Sequence, residues 1–326
     1  MNLDEFLREW SAPGCKLLVH TSGSTGQPKA LWVEKRRMEA SARITCQFLG
    51  LKPGDTALLC LPLDYIAGKM MVVRALTCGL RLVSLPPSSH PLAQMDGACE
   101  AVDFAAMVPL QVWSSLQVPQ ERQRLMGIRH LIIGGGAIDD ALAAELKSFP
   151  NAVWSTYGMT ETLSHIALRR LSGSEATEWY TPFSGVALAL SSEGCLIIDA
   201  PLVCQQTLVT NDVAELLPDG RFRILGRRDN VVCSGGIKIQ IEEVERLLKP
   251  HLAMPFCVAK RKDARLGEAL VLLVQSPADI APLQSICRRV LPRLWKPRRI
   301  IGVPRIPLTA TGKIARQEAQ RMAERE

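Results

Sequence analysis

The residues of this chain best suited to chemistry begin with one string, Thr21-Ser22-Gly23-Ser24-Thr25-Gly26-Gln27-Pro28-Lys29. Gly23 and Gly26 allow the backbone to approach a ligand closely and expose its amides. Hydroxyl groups crowd the same turn, and Lys29 adds a point charge. Together they suit a polyphosphate. The spacing is not Gly-x-x-x-x-Gly-Lys-Ser/Thr, so the usual nucleotide triphosphatase loop is excluded. A flexible Ser/Gly turn would account for a Gly-Ser pair alone, but not for all nine residues.

Further candidates follow in order. Tyr157-Gly158-Met159-Thr160-Glu161-Thr162 comes after a predicted strand at 152–156. A carboxylate beside phosphate oxygens is the hard ligand that Mg²⁺ prefers, although Glu161 alone also reads as a helix N-terminal acid. Gly134-Gly135-Gly136-Ala137 forms a glycine turn. Thr210-Asn211-Asp212, Gly226-Arg227-Arg228-Asp229 and Leu308-Thr309-Ala310-Thr311-Gly312-Lys313-Ile314 complete the series.

The ordered set resembles the adenylate-forming superfamily of acyl- and aryl-CoA synthetases, luciferases and peptide-synthetase adenylation domains. It spans Thr21 to Lys313, nearly the whole chain. The resemblance implies ATP, Mg²⁺ and coenzyme A as reaction partners. Residues Thr21, Ser22, Gly23, Ser24, Thr25, Gly26 and Lys29 would cradle the phosphates, and Gly134, Gly135 and Gly136 would border the nucleotide. Tyr157 and Gly158 would lie near adenine, Thr160 at the α-phosphate, and Glu161 on Mg²⁺. Asp212 would accept the ribose hydroxyls; here Asn211 stands where the family has Gly, a residue that also tolerates left-handed geometry. Arg227 would contact ribose or phosphate, Asp229 would be the hinge, and Lys313 the adenylation lysine. Ser234, Gly235 and Gly236 would line the thiol tunnel after rotation of the C-terminal domain. The catalytic set is Lys313, Lys29, Thr160 and Glu161.

The stretch from Leu61 to Leu76, followed by Thr162-Leu163-Ser164-His165-Ile166-Ala167, resembles o-succinylbenzoate–CoA ligases of menaquinone synthesis. That aromatic acid has two carboxylates. One is activated, so the other needs recognition. Lys69 and Arg74 are the candidate cations, with Tyr65, Ser164 and His165 in the pocket. Arg74 also reads as a surface helix cation, and His165 as a packed or capping histidine. Asp64-Tyr65 stands where many relatives carry His. Only some 20 residues precede the phosphate loop, fewer than in full-length relatives, so an N-terminal subdomain is expected to be missing; homodimerisation is one way to cover the exposed surface. Rival readings are another aryl- or acyl-CoA ligase, a carrier-loading enzyme, or a silent nucleotide-binding module.

The elements that must position these residues alternate between strand and helix as far as about Ser172. This implies an α/β architecture with a largely parallel sheet. Short strands between 195 and 225 imply a small β-rich subdomain. Beyond Asp229 a small, mobile α+β unit is expected, giving domains at 1–229 and 230–326. Residues 230–326 hold eighteen Lys and Arg against nine Asp and Glu, a net of +9 within a chain of +7. Such a surface attracts a polyanion, either nucleic acid or a phosphate-rich cofactor, unless it is simply a solvated basic face. No nucleic-acid reading motif is present and aromatics are only 5%, which ranks nucleic acid last. No apolar run reaches the roughly 18 residues of a membrane helix. The ten cysteines are scattered without a Cys-x-x-Cys pair, and no export signal is seen, so a reduced, cytoplasmic protein is expected.

Overall fold

The computed structural model describes residues 1–20, 30–95, 101–136, 138–275, 279–309 and 313–325. The expectations placed on Thr21, Ser22, Gly23, Ser24, Thr25, Gly26 and Lys29 lie outside the described residues, as do Ala137, Ala310, Thr311 and Gly312.

Helix α1 (Leu3–Ser11) starts with a reciprocal cap between Asn2 and Glu5. Strands β1 (Lys16–His20) and β2 (Ala30–Glu34) pair antiparallel. Helix α2 (Lys35–Leu49) ends at Gly50, whose φ of +64° suits the left-handed cap. The Lys35 ammonium reaches the carbonyls of Glu9, Trp10 and Ala12 at 3.2, 2.7 and 2.9 Å. It thereby satisfies the C-terminal end of α1, where carbonyls lack helical partners.

The succession β3 (Thr56–Leu59), α3 (Ile66–Cys78), β4 (Arg81–Ser84), β5 (Phe104–Met107), α4 (Pro109–Leu116), α5 (Pro119–Met126), β6 (His130–Ile133), α6 (Asp140–Lys147), β7 (Ala152–Gly158), β8 (His165–Arg170) and β9 (Thr181–Pro182) builds a seven-stranded sheet. Its order is β4-β3-β5-β6-β7-β8-β9. The first five in this order are parallel and the last two antiparallel. Strands β3 and β5 are buried throughout because both sheet faces are covered. Ala57, Leu59, Phe104 and Ala106 pack with α1, α2 and α3, whereas Leu58, Ala105 and Met107 pack under α4, α5 and α6. Chain order reverses between β3 and β5, and open sheets of this kind bind ligands at the carboxyl ends of their strands. Gly134 follows β6 and Tyr157-Gly158 closes β7 on that edge.

Strands β10 (Ala187–Leu190), β11 (Cys195–Asp199), β12 (Leu208–Leu216) and β13 (Phe222–Arg227) form an antiparallel sheet. A single turn, Arg228–Asn230, leads to a third sheet. It comprises β14 (Val231–Ser234), β15 (Ile237–Gln240), β16 (Phe256–Asp263), β17 (Gly267–Gln275) and β18 (Arg299–Val303). Helices α7 (Ile241–Leu248) and α8 (Ala281–Val290) cover one face, and α9 (Arg316–Arg325) the other. Exposed ion pairs link α6 to this unit: Lys249 with Asp139 at 2.6 Å and Arg246 with Asp140 at 3.6 Å.

The α/β class follows the alternation of the sequence, but seven elements were not anticipated: α1, α4, β8, β9, β10, β18 and α9. In α9 only Ala319 and Ala323 are buried, so the helix has almost no apolar stripe to betray it.

Lys35→Met keeps the aliphatic stem but removes three hydrogen bonds. We expect it to lower unfolding free energy by about 1–3 kcal/mol, measured by urea denaturation.

Candidate functional site

Asp212 gathers residues from distant parts of the chain. The Tyr157 hydroxyl donates to its Oδ2 at 2.8 Å, and Arg227 Nη1 donates to Oδ1 at 3.2 Å. Asp212 and Arg227 are register partners on β12 and β13, while Tyr157 comes from β7. The Tyr157 ring packs against Tyr180 and Phe222, with centroids 5.9 and 5.1 Å away. Burial, reinforced by the Asp212 carboxylate, pushes the phenol above its ordinary value. Half-buried Lys313 stands beside the same pair. Burial, then the Arg227 charge, pushes its amine below the ordinary lysine value, and Asp212 opposes them. Tyr157, Asp212, Arg227 and Lys313 are therefore brought together. Asp229 lies next to them in the turn after β13, accepting from Asn211 Nδ2 at 3.2 Å and 3.6 Å from Arg227 Nη2.

The turns beside Tyr157 are tightly built. A Cβ on Gly158 would lie 2.3 Å from the Ser164 carbonyl oxygen, so no larger residue fits without moving backbone. The β7–β8 register slips at Tyr157/Gly158, a break in pairing that re-aims the side chains near it. Gly135, in the turn after β6, has φ +78°. Thr160 is buried, and Glu161 is exposed into a cleft of about 180 Å³ shared with Leu31, Glu34, Arg37 and Cys204. Leu163 has φ +64°, the single non-glycine positive φ among the described residues. Backbone of this kind is costly, and it forms the bend between Glu161 and Ser164. No cluster of three or more His, Cys, Asp or Glu could hold a metal among the described residues. One accessible carboxylate suits Mg²⁺, which keeps several waters and shares phosphate oxygens, better than an ion needing a full protein cage.

Below this edge lies a buried polar row. Arg74 on α3 is 1% exposed, so it is not a surface cation. Its Nη2 donates to Ser164 Oγ at 2.6 Å. Ser164 Oγ is 3.1 Å from His165 Nδ1, and His165 Nε2 is 3.2 Å from Thr45 Oγ1 on α2. Arg74 Nε has no hydrogen-bond partner, and no carboxylate pairs with the guanidinium among the described residues. Burial pushes its pKa down to about 10. Burial, helped by Arg74, also holds His165 well below its usual value, hence neutral. Thr45 carried no local signal in the sequence; its role is set by the packing of α2 against β8.

Other expected residues are placed apart from these groups. Lys69 is buried on α3, but its Nζ lies 4.0 Å from Glu9 and over the Phe6 ring, beneath α1. Five residues of helix separate it from Arg74 by roughly 140° of rotation, so the two cations do not face one pocket, and Lys69 is withdrawn as a partner for the second carboxylate. Tyr65 is exposed at the start of α3, nine residues or roughly 13 Å of helix before Arg74. Ser234, Gly235 and Gly236 lead from β14 into β15; Ser234 pairs with Gly267, and Gly235 N–H donates to the Leu266 carbonyl at 2.8 Å.

With this geometry in hand, the chain was compared with known proteins. The sequence pattern of the AMP-binding enzymes matches residues 13–217. The chain belongs to the AMP-binding enzyme family. Its relatives include the 2-succinylbenzoate–CoA ligase of Salmonella typhimurium, 30% identical over 329 residues, a match covering 95% of this chain and 70% of that one. The acyl-CoA synthetase (AMP-forming)/AMP-acid ligase II-like protein of Dyadobacter fermentans matches at TM-score 0.66 and 33% identity, over 98% of this chain and 92% of that one. The o-succinylbenzoate CoA synthetase of Bacillus subtilis, solved with its acyl-adenylate intermediate, shares the fold at TM-score 0.77 and 24% identity, over 93% of this chain and 68% of that one. This AMP-binding enzyme therefore belongs with the adenylate-forming CoA ligases, and no helix among its described residues is long and apolar enough to cross a membrane.

Because His165 is kept neutral when folded, the unfolded chain binds the extra proton below about pH 6.5. Stability is then lost as pH falls through that value toward the lower folded pKa, by up to about 1.4 kcal/mol per pH unit. Melting temperature between pH 7 and 5 should fall more steeply in the native protein than in His165→Asn.

Proposed function

We propose that this chain joins a carboxylic acid to coenzyme A through an acyl-adenylate, and that the acid carries a second carboxylate, with o-succinylbenzoate the first to test. The observation that carries this reading is Arg74. A buried guanidinium with a neutral hydroxyl as its oxygen partner is costly, and an anion entering the pocket offsets that cost. Ser164 and His165 complete a polar wall for the distal carboxylate. The names of the relatives, 2-succinylbenzoate–CoA ligases among them, point the same way.

In the first half-reaction a carboxylate oxygen of the acid attacks the α-phosphorus of ATP, the bond to the β-phosphate oxygen breaks, and pyrophosphate leaves. Asp212 holds the ribose hydroxyls through its carboxylate, and Arg227 keeps that carboxylate oriented. The Lys313 ammonium stabilises negative charge developing at the α-phosphate, with Lys29, Thr160 and residues 21–26 assigned to the remaining phosphate oxygens. Glu161 would hold Mg²⁺, whose charge, when bound, neutralises the phosphates. In the second half-reaction the thiol sulfur attacks the acyl carbon and AMP leaves. We assign residues 1–229 and 230–326 to two bodies hinged at Asp229, with Ser234, Gly235 and Gly236 turned toward the thiol in that step.

Lys313→Ala should lower acid-dependent ATP–pyrophosphate exchange by at least about 100-fold, while thioester formation from supplied acyl-adenylate persists. Equal loss of both would remove the assignment. With its amine pushed down by burial, exchange should decline with rising pH at a lower midpoint than an ordinary lysine gives; an unshifted midpoint counts against Lys313 as the group that titrates. Arg74→Ala should raise KM for o-succinylbenzoate by about 10- to 100-fold, the worth of a charge-assisted hydrogen bond, with KM for ATP unchanged. A panel of mono- and dicarboxylic acids tests the substrate: no preference for the second carboxylate would overturn this reading.

A further inference from the structure

Lys313 is paired with Thr309. Leu308 and Ile314 form an antiparallel bridge, Thr309 N–H donates to the Lys313 carbonyl at 2.7 Å, and Lys313 N–H donates to Thr309 Oγ1 at 3.1 Å. Ala315 N–H donates to the Pro307 carbonyl at 2.9 Å. These bonds hold residues 307–309 and 313–315 to each other but do not fix their position on the molecule.

That position is set one residue later. Arg316 opens α9, where a cation works against the helix dipole, so the helix itself does not account for an arginine there. Its guanidinium grips Glu245 of α7 with two bonds, Nη1 to Oε1 at 2.7 Å and Nη2 to Oε2 at 2.6 Å. Nη1 also donates to the Val258 carbonyl at 3.1 Å, while Val258 N–H donates to Glu245 Oε1 at 2.8 Å. The pair is largely enclosed, at 25% and 17% side-chain exposure. Paired donors at such distances define direction as well as separation. Glu245 is itself rigidly held, because α7 buries Ile241, Val244 and Leu248. Three residues of chain span at most about 10 Å, so fixing Arg316 limits how far Lys313 can shift from the Asp212 and Arg227 charges that act on it.

We propose that the Arg316–Glu245 fork is the positioning device for Lys313, aligning the ammonium with the nucleotide while touching no substrate itself. This deepens the assignment of Lys313 to adenylation and rests on it. The fork lies within the C-terminal unit and serves the half-reaction that uses Lys313, leaving the acyl transfer to the thiol independent of it.

The test measures both half-reactions in Arg316→Ala, Arg316→Lys and Glu245→Gln, with Lys313→Ala alongside and thermal melting on each. Arg316→Ala should reduce ATP–pyrophosphate exchange by about tenfold or more with transfer from supplied acyl-adenylate retained. Arg316→Lys, which keeps the charge but not the fork, should fall between Ala and native. Equal loss in both half-reactions, or unchanged exchange, overturns the proposal. Should Arg316→Ala fail to fold, Arg316→Lys and Glu245→Gln decide by the same comparison. If Lys313→Ala leaves exchange intact, the lysine assignment has failed; if only the Arg316 and Glu245 variants are silent, the positioning role has failed and the lysine stands.

Discussion

The carboxylate of Asp212 is the point on which the arrangement depends. One oxygen accepts from Tyr157 at the carboxyl edge of the seven-stranded sheet, and the other from Arg227 on the neighbouring strand. Lys313, separated from it by the whole third sheet in sequence, feels the same charge. Three parts of the fold thus agree on one place through a single short side chain. An aspartate suits this because its stem is too short to reach around misplacement: the strands must bring the partners to it.

The buried row from Arg74 to Thr45 has a different logic. The Asp212 group balances opposite charges, whereas Arg74 is enclosed beside hydroxyl and imidazole, with the Met71 sulfur 3.9 Å away. The protein carries the cost of an uncompensated cation there, at the place we propose for a ligand's second carboxylate. A neutral His165 helps, since a second charge there would add repulsion to desolvation.

Much of this was legible in the sequence. Tyr157, Asp212, Arg227 and Lys313 each stood in a short motif that resembles one of the adenylate-forming superfamily, and their convergence is a matter of sheet topology. That Arg74, Ser164 and His165 share one region was also suggested, through two strings that resemble the o-succinylbenzoate–CoA ligases, but the bond from Arg74 to Ser164 was not. Lys69 was misjudged because a lysine on a helix looks the same whichever way it points, and only the docking of Phe6 shows that it faces α1. Thr45, Glu245 and Arg316 were not singled out at all. Each acts through a partner tens of residues away, and no local spacing encodes such a pairing. The left-handed backbone at Leu163 was hidden too, since leucine rarely adopts it.

The four apolar cores do not straddle the turn at Arg228–Asn230: two lie before it and two after. The side-chain contacts joining α6 to α7, Lys249–Asp139 and Arg246–Asp140, are ion pairs on the surface, of the kind water replaces at about 0–1 kcal/mol apiece. Gln240, whose Nε2 donates to the Arg227 carbonyl at 2.9 Å, and Lys313, beside the Arg227 charge, are polar groups that parting would expose. Each half has its own apolar interior, so a swing of the carboxyl-terminal unit would leave both intact.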